Sequence, residues 1–137
     1  MIVVDTNVWS EPLRPAPDPR VLAWMRTHAS ELLMPALVVH ELAFGLELLP
    51  AGSRREHLAE QIEATIRGLD GRVLVYDAEV ATTHARLRAQ ARARGCEPSA
   101  QDGQIAAHAA HLGVPLATRN TADFADLGIA LIDPWHA

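Results

Sequence analysis

The chain has 137 residues and a mass of 14.9 kDa, 49% of its residues are hydrophobic and 21% are charged, which fits one folded domain spanning residues 1–137. Seventeen acidic residues against twelve basic ones give a formal net charge of −5, which by itself argues against a nucleic-acid partner. All twelve basic residues are arginine, and the absence of lysine excludes Walker-type phosphate loops and Schiff-base enzymes.

Short apolar runs alternate with helix-forming segments along the whole chain. In chain order they predict a strand at Ile2–Val4, helices from Thr6 to about Leu13 and from Pro19 to about Thr27, a strand at Leu32–Met34, a helix opened by Pro35, a helix from Ser53 towards Leu69, a strand at Val73–Tyr76, a helix capped by Asp77 that runs to about Arg94, a helix capped by Ser99 that ends at Gly113, a strand at Pro115–Thr118, a short helix at Thr121–Leu127 and a strand at Ala130–Ile132. This alternation predicts an α/β fold, in which a short parallel sheet of about five strands is flanked by helices on both faces.

Local signals predict where several helices begin and end. Asp18 followed by Pro19 is a cap followed by a proline in the first helical position. Ser53 and Glu56 have the spacing of a capping box. Gly95 is expected to stop the helix that begins after Asp77.

Neither a disulfide framework nor a membrane span is expected. Cys96 is the only cysteine, which excludes an intrachain disulfide and a cysteine-based zinc site. The longest apolar run, Leu32 to Val39, has eight residues and contains Pro35, so it is too short to cross a bilayer. The N-terminal residues do not resemble a signal segment, and we expect a cytoplasmic protein without a membrane partner.

Two acidic residues stand out by their surroundings. Asp5 directly follows the strand Ile2–Val4, where α/β sheets place their ligand sites, although a helix cap explains it equally well. Glu41 lies one turn into an apolar helix, where burial is costly unless the carboxylate is paired or bound to a metal; the alternative is a helix-edge glutamate that reaches solvent. His40-Glu41 does not begin a zinc-protease motif, because Phe44 stands where the second histidine would be.

Two further aspartates lie in the first turns of later helices. Taken alone, Asp102 and Asp123 are both explained by the favourable interaction of an acid with a helix N-terminus. Because Ile105 and Ala106 are expected to pack inward, Asp102 is expected to face the crevice at the strand ends rather than open solvent.

Considered together, the four acids are not explained as four independent helix caps, because their positions along the fold are related. In a parallel sheet the carboxyl ends of the strands meet at one edge, so Asp5, Glu41, Asp102 and Asp123 are expected to converge there. Such a cluster cannot stay fully ionised without a positive counter-charge. A divalent cation supplies that charge, and an all-oxygen ligand set favours Mg²⁺ or Mn²⁺ over zinc.

At this point the sequence resembles the PIN-domain ribonucleases, specifically the VapC-type toxins of bacterial toxin–antitoxin pairs. The resemblance covers essentially the whole chain. It rests on Asp5-Thr6-Asn7 after the opening apolar run, on Glu41-Leu42 followed by Gly45, on Asp102 followed by Ile105-Ala106-Ala107, and on the segment from Thr118 to Phe124 that contains Arg119, Asn120 and Asp123. Two departures are His40, where a small residue is common, and Gly103, where alanine is usual.

The resemblance implies a Rossmann-like three-layer fold and a metal-dependent endoribonuclease. Asp5, Glu41, Asp102 and Asp123 would hold Mg²⁺ or Mn²⁺, and Thr6 and Asn120 would be supporting polar groups. A metal-activated water would then attack the phosphodiester, leaving a 5′-phosphate and a 3′-hydroxyl. A homodimer or higher assembly is implied, together with a cognate antitoxin whose tail blocks the acidic pocket.

Other features offer weaker functional signals. Arg119 follows the fourth strand and could contact a phosphate of the RNA, whereas the arginines between Arg86 and Arg94 are mostly explained as solvated charge on one helix. His108 and His111 have the spacing of a metal pair but are better explained as a helix edge. The helices around Phe44–Leu49 and Leu58–Ile66 could leave an apolar groove for an antitoxin helix.

Two other functions remain open on the sequence alone. One is a non-catalytic interaction domain with the same fold, against which the four retained acids argue. The other is a different Mg²⁺-dependent phosphoesterase, such as a DNA nuclease, although the short chain leaves no obvious DNA-clamping domain.

Overall fold

The computed structural model describes all 137 residues and confirms the α/β fold. Its elements are β1 Ile2–Val4, α1 Thr6–Ser10, a 3₁₀ turn at Glu11–Leu13, α2 Pro19–Thr27, β2 Leu32–Pro35, α3 Ala36–Glu47, α4 Ser53–Leu69, β3 Val73–Leu74, α5 Ala78–Ala93, α6 Ala100–Leu112, β4 Leu116–Ala117, α7 Thr121–Phe124 and β5 Leu131–Ile132. Every predicted strand and helix is present, and α2 has the predicted bounds.

All five strands run parallel, in the order β3-β2-β1-β4-β5. The chain builds the sheet outward from β1 through β2 to β3, then returns to the other side of β1 with β4 and β5. The strand order therefore reverses between β1 and β4, and ligand sites of open α/β sheets lie beyond the strand ends at such a reversal. Val3 pairs with Leu116 and Val4 with Ala117, so Asp5 and Thr118 leave the sheet side by side.

The core is one cluster of 23 buried hydrophobic residues centred on the inner strands. Val3 and Val4 are fully buried although their side chains point to opposite faces of the sheet. Leu33 and Met34 of β2 also point to opposite faces, and both are buried. Helices therefore cover both faces, which explains why these strands have continuous apolar runs rather than alternating ones.

Several element ends differ from the predictions for local reasons. The first helix changes to a 3₁₀ turn at Glu11, where Pro12 removes a backbone donor. The Ser53–Glu56 capping box is wrong: Gly52 is the N-cap of α4, so Ser53 is already helical and makes no capping bond. The strands β3, β4 and β5 have only two residues each and are shorter than predicted.

The caps of α5 and α6 are confirmed. The Asp77 carboxylate accepts a hydrogen bond from the N–H of Val80 at 3.0 Å. The Ser99 hydroxyl accepts one from the N–H of Asp102 at 3.1 Å. Ser99 thus holds the first turn of α6, the turn that contains Asp102.

The helices α4 and α5 bury few of their residues. The longest, α4, has 17 residues but buries only Ile62 and Leu69. In α5 the buried residues are Val80, Thr83 and Ala91. None of the helices combines the length and the apolar character that a bilayer crossing requires.

Candidate functional site

Asp5 occupies the end of β1, the central strand, and is only 6% exposed. One carboxylate oxygen accepts a hydrogen bond from the N–H of Thr6 at 2.7 Å, so Asp5 does cap α1. The other oxygen accepts from the Thr118 hydroxyl at 2.8 Å and from the Asn7 side chain at 3.3 Å. The carboxylate is therefore held in one orientation by backbone and side-chain donors from two adjacent strand ends.

Thr118, which sequence reasoning did not single out as a site residue, is the centre of this network. It is fully buried at the end of β4 and donates its proton to Asp5. Its hydroxyl oxygen accepts from the N–H of Asn120 at 3.1 Å and from Asn7 Nδ2 at 3.4 Å. The signal for Thr118 was available only through strand order, because Thr118 must follow a strand that pairs with β1.

The sequence-predicted supporting residues differ in their contacts. Thr6 Oγ1 is buried and has no hydrogen-bond partner, a costly state that a polar group bound beside Asp5 would relieve. Asn120 is exposed and contributes its backbone N–H rather than its side chain. Arg119 donates its backbone N–H to Asn7 Oδ1 at 3.2 Å, and its guanidinium carbon lies 4.9 Å from the ring centroid of Trp135.

The other three acids come to the same edge of the sheet from three helices. Glu41 is half-buried on α3, Asp102 is half-buried in the first turn of α6, and Asp123 is exposed on α7. Burial raises the pKa of Asp5, hydrogen bonds from Thr118 and Thr6 lower it, and the charges of Asp102 and Glu41 raise it further. Asp102 and Glu41 thus lie within electrostatic reach of Asp5.

The environment of Asp102 is similar. Burial raises the pKa of the Asp102 carboxyl, the Ser99 hydroxyl lowers it, and the charges of Asp123 and Glu41 raise it. The net pKa shift of Asp5 and of Asp102 is upward: burial contributes most, and repulsion by the neighbouring acids adds to it. A cation between them would offset this repulsion.

The donor set fits a hard divalent cation by its chemistry. It consists of carboxylate oxygens with neighbouring hydroxyls, the ligand type that Mg²⁺ and Mn²⁺ prefer. No three histidine, cysteine, aspartate or glutamate side chains are already arranged to hold a metal. Binding of a cation would therefore require the acidic side chains to turn inward.

The histidines and arginines of α5 and α6 lie outside the acidic site. His111 pairs with Glu79 at 3.6 Å, whereas His108 is 2% exposed and is therefore buried rather than at the predicted helix edge. Arg88 and Arg92 both contact the Glu97 carboxylate, and Arg94 bonds to the carbonyl of Asp126. Arg88, Arg92 and Arg94 are therefore committed to local contacts.

The raised pKa values of Asp5 and Asp102 predict how metal-free stability depends on pH. A carboxyl with a raised pKa in the folded state contributes stability below its ordinary pKa, about 4, and this contribution is lost as the pH rises through the folded-state value. Relative to wild type, the double variant Asp5→Asn, Asp102→Asn should therefore gain unfolding free energy as the pH rises from about 4. Urea unfolding in chelator across a pH series measures the difference; a pH-independent difference would contradict the prediction.

A second prediction concerns Thr118. The Thr118→Val variant should raise the pKa of Asp5 further, because the carboxylate loses the hydroxyl that stabilises its charge. It should also lower the unfolding free energy by about 1–3 kcal/mol, since buried polar groups lose a partner. Carboxyl NMR titration and urea unfolding measure the two effects. Thr118→Ser keeps the hydroxyl and is the control; equal Asp5 titration in all three proteins would refute the role.

Comparison with known proteins identifies the family of the chain. A family model for the PIN domain matches residues 2–130. The chain is 42% identical over 138 residues to toxin FitB of Neisseria gonorrhoeae, and equally to VapC ribonuclease Y4jK of Sinorhizobium fredii, with 99% of each chain covered in both cases. The crystal structure of FitAcB from Neisseria gonorrhoeae matches with a TM-score of 0.94 at 40% identity, covering 100% of both chains. The resemblance is confirmed, and the chain belongs to the PIN domain family, among its VapC-type toxins.

Proposed function

We propose that this protein is a metal-dependent endoribonuclease that acts as the toxin of a toxin–antitoxin pair. The observation that carries the proposal is the Asp5 carboxylate, buried at the sheet centre, held by Thr6 and Thr118, and within reach of Asp102 and Glu41. An acid so costly to bury is poorly explained by capping a five-residue helix alone. The family membership and the ribonuclease name of a 42% identical relative support the same reaction class.

Each acid has a distinct place in the proposed site. Asp5 and Asp102 would hold Mg²⁺ or Mn²⁺ directly, and Asp123 would complete the site from α7. Glu41 would accept a hydrogen bond from the attacking water and orient it towards the phosphorus. The bound cation would lower the pKa of that water and stabilise the negative charge that develops on the phosphate.

Arg119 is the proposed substrate cation. It is exposed beside the Asp5 network, and its contact with Trp135 limits the orientations of its guanidinium. In a chain without lysine, contacts to RNA phosphates must come from arginine, backbone N–H groups or the cation. Arg119 would thus bring the phosphodiester towards an acidic site that would otherwise repel it.

The proposed antitoxin surface is an apolar cavity of about 230 Å³ beside the acids. Residues of α1, the 3₁₀ turn, α3 and α4 line it, among them Thr6, Glu41, Gly45, Leu46, Leu49 and Ile62. The helix pair is the one that the sequence predicted to form a groove. Because Glu41 and Thr6 belong both to this cavity and to the acidic site, a helix seated in the cavity would end beside the site that it inhibits.

The function is tested by incubating the purified protein with single-stranded RNA or DNA, with Mg²⁺, with Mn²⁺ or with chelator. We expect cleavage of RNA only when a divalent cation is present, and products with a 5′-phosphate and a 3′-hydroxyl. Inactivity on every RNA tested would favour the non-catalytic interaction domain, and cleavage of DNA alone would favour a DNA nuclease. A 2′,3′-cyclic phosphate would overturn the water-attack mechanism, because that product requires attack by the RNA itself.

A further inference from the structure

Gly103, the residue after Asp102, is needed for a close contact rather than for an unusual backbone angle. A Cβ atom at position 103 would lie 2.7 Å from Nε2 of His84 and 3.3 Å from its Cδ2. No other glycine of the chain has an atom within 4 Å of such a Cβ position. Gly103 is also buried in the helix α6, where glycine is otherwise unfavourable.

The His84 ring that takes this space is held from its other side. Its Nδ1 atom lies 2.9 Å from the hydroxyl of Tyr76, and the two rings pack edge to face at 5.8 Å. Tyr76 follows β3, whereas His84 lies on α5 and is half-buried. A ring tethered at Nδ1 cannot retreat from Gly103 without losing its bond to Tyr76.

The contact acts on the turn that contains Asp102. Ser99 already bonds to the N–H of Asp102 and holds this turn from the N-terminal side. His84 abuts the same turn at Gly103, from the neighbouring helix α5. The two contacts restrain the turn from different directions, so that a shift of His84 or of residue 103 would move the Asp102 carboxylate.

We propose that His84 is a positioning residue for Asp102: held by Tyr76, its ring fills the space left at Gly103 and fixes the first turn of α6 against the acidic site. The inference rests on the proposed function only in taking Asp102 as a ligand of the divalent cation. His84 itself touches neither cation nor substrate in this role.

The test is a double-mutant cycle on Gly103→Ala and His84→Ala. With His84 present, Gly103→Ala should weaken Mn²⁺ binding by about 10- to 100-fold, the usual effect of disturbing a residue that orients a metal ligand. With His84→Ala, the added methyl group meets no ring and should change the affinity little. Paramagnetic resonance of free Mn²⁺ measures the affinity, with Mn²⁺ alone as the probe.

Thermal unfolding separates positioning from a general loss of structure. In the His84→Ala background, Gly103→Ala should raise the melting temperature, because alanine favours a helix more than glycine does. The Tyr76→Phe variant is a second background: it frees the ring to turn away, so Gly103→Ala should be better tolerated there. Equal Mn²⁺ affinity with and without Gly103→Ala, or equal losses in all three backgrounds, would overturn the proposal.

The amide and carboxyl NMR resonances of Asp102 provide a measurement that needs no metal. Gly103→Ala should shift them strongly in the wild-type background and weakly in the His84→Ala background. If the wild-type protein binds no Mn²⁺, the proposed metal site fails, and these resonances still decide the positioning role. Identical shifts in both backgrounds would refute it whatever the metal does.

Discussion

Replacing Asp5 with asparagine is expected to reduce RNA hydrolysis by about 10³-fold while the protein stays folded. The asparagine side chain keeps an oxygen that accepts from Thr6 or Thr118, but it loses the negative charge proposed to hold the cation. A bound cation contributes several kcal/mol to transition-state stabilisation, and a loss of about 4 kcal/mol corresponds to about 10³-fold in rate. Single-turnover cleavage of RNA at saturating Mg²⁺ measures the effect.

The matched control for Asp5→Asn is Glu11→Gln. Glu11 is equally buried, at 3% exposed, but it bonds to the N–H of Asp18 and to Arg14, away from the acidic site. We expect Glu11→Gln to retain wild-type cleavage rates. Activity of Asp5→Asn within tenfold of wild type, or an equal loss in Glu11→Gln, would show that the Asp5 charge has no special part in the reaction.

Filling the apolar cavity should release the protein from its antitoxin. Gly45 lines the cavity and a Cβ atom added there meets no other atom within 4 Å, so Gly45→Gln introduces a long polar side chain at the cavity without displacing its walls at the Cβ position. Antitoxin affinity should fall by about 30-fold or more, the equivalent of about 2 kcal/mol at an interface hot spot. Titration with the cognate antitoxin measures this affinity.

The Gly45 substitution also separates inhibition from catalysis. Gly45→Gln should cleave RNA at the wild-type rate when no antitoxin is present, because Gly45 is not one of the proposed cation ligands. Gly45→Ala, which improves helix propensity but adds only one methyl group, is the control and should bind antitoxin almost as wild type does. Undiminished antitoxin binding by Gly45→Gln would place the antitoxin elsewhere on the molecule.

The architecture was predictable from the sequence because its signals are local. The β-branched run at Ile2–Val4, the Asp18-Pro19 helix start and the glycine that follows α5 each depend on a few neighbouring residues. The predicted capping box of Ser53 and Glu56 was wrong because a local motif fixes a helix start only to within a residue. The helix is capped by Gly52, one residue before the position that the motif requires. Errors of this size leave the order of elements intact.

The details of the acidic site were less predictable because they depend on distant pairing. Asp5 was recognised from its strand, but its main side-chain partner Thr118 is 113 positions away and becomes its neighbour only through the pairing of β1 with β4. The contact between His84 and Gly103 likewise depends on how α5 packs on α6. Burial alone does not indicate function. Glu11 is as buried as Asp5, but its carboxylate accepts a hydrogen bond from the backbone N–H of Asp18, just before α2.

The position of β1 between β2 and β4 has a consequence for synthesis of the protein. Asp5 leaves the ribosome 113 residues before Thr118, the residue that follows the neighbouring strand β4. A nascent chain that ends before β4 therefore lacks one neighbour of its central strand, the restraint on Asp5 and the acid of α7. Translation products that stop before β4 should accordingly be inactive, because the proposed nuclease site is complete only once β4 and α7 have emerged and folded.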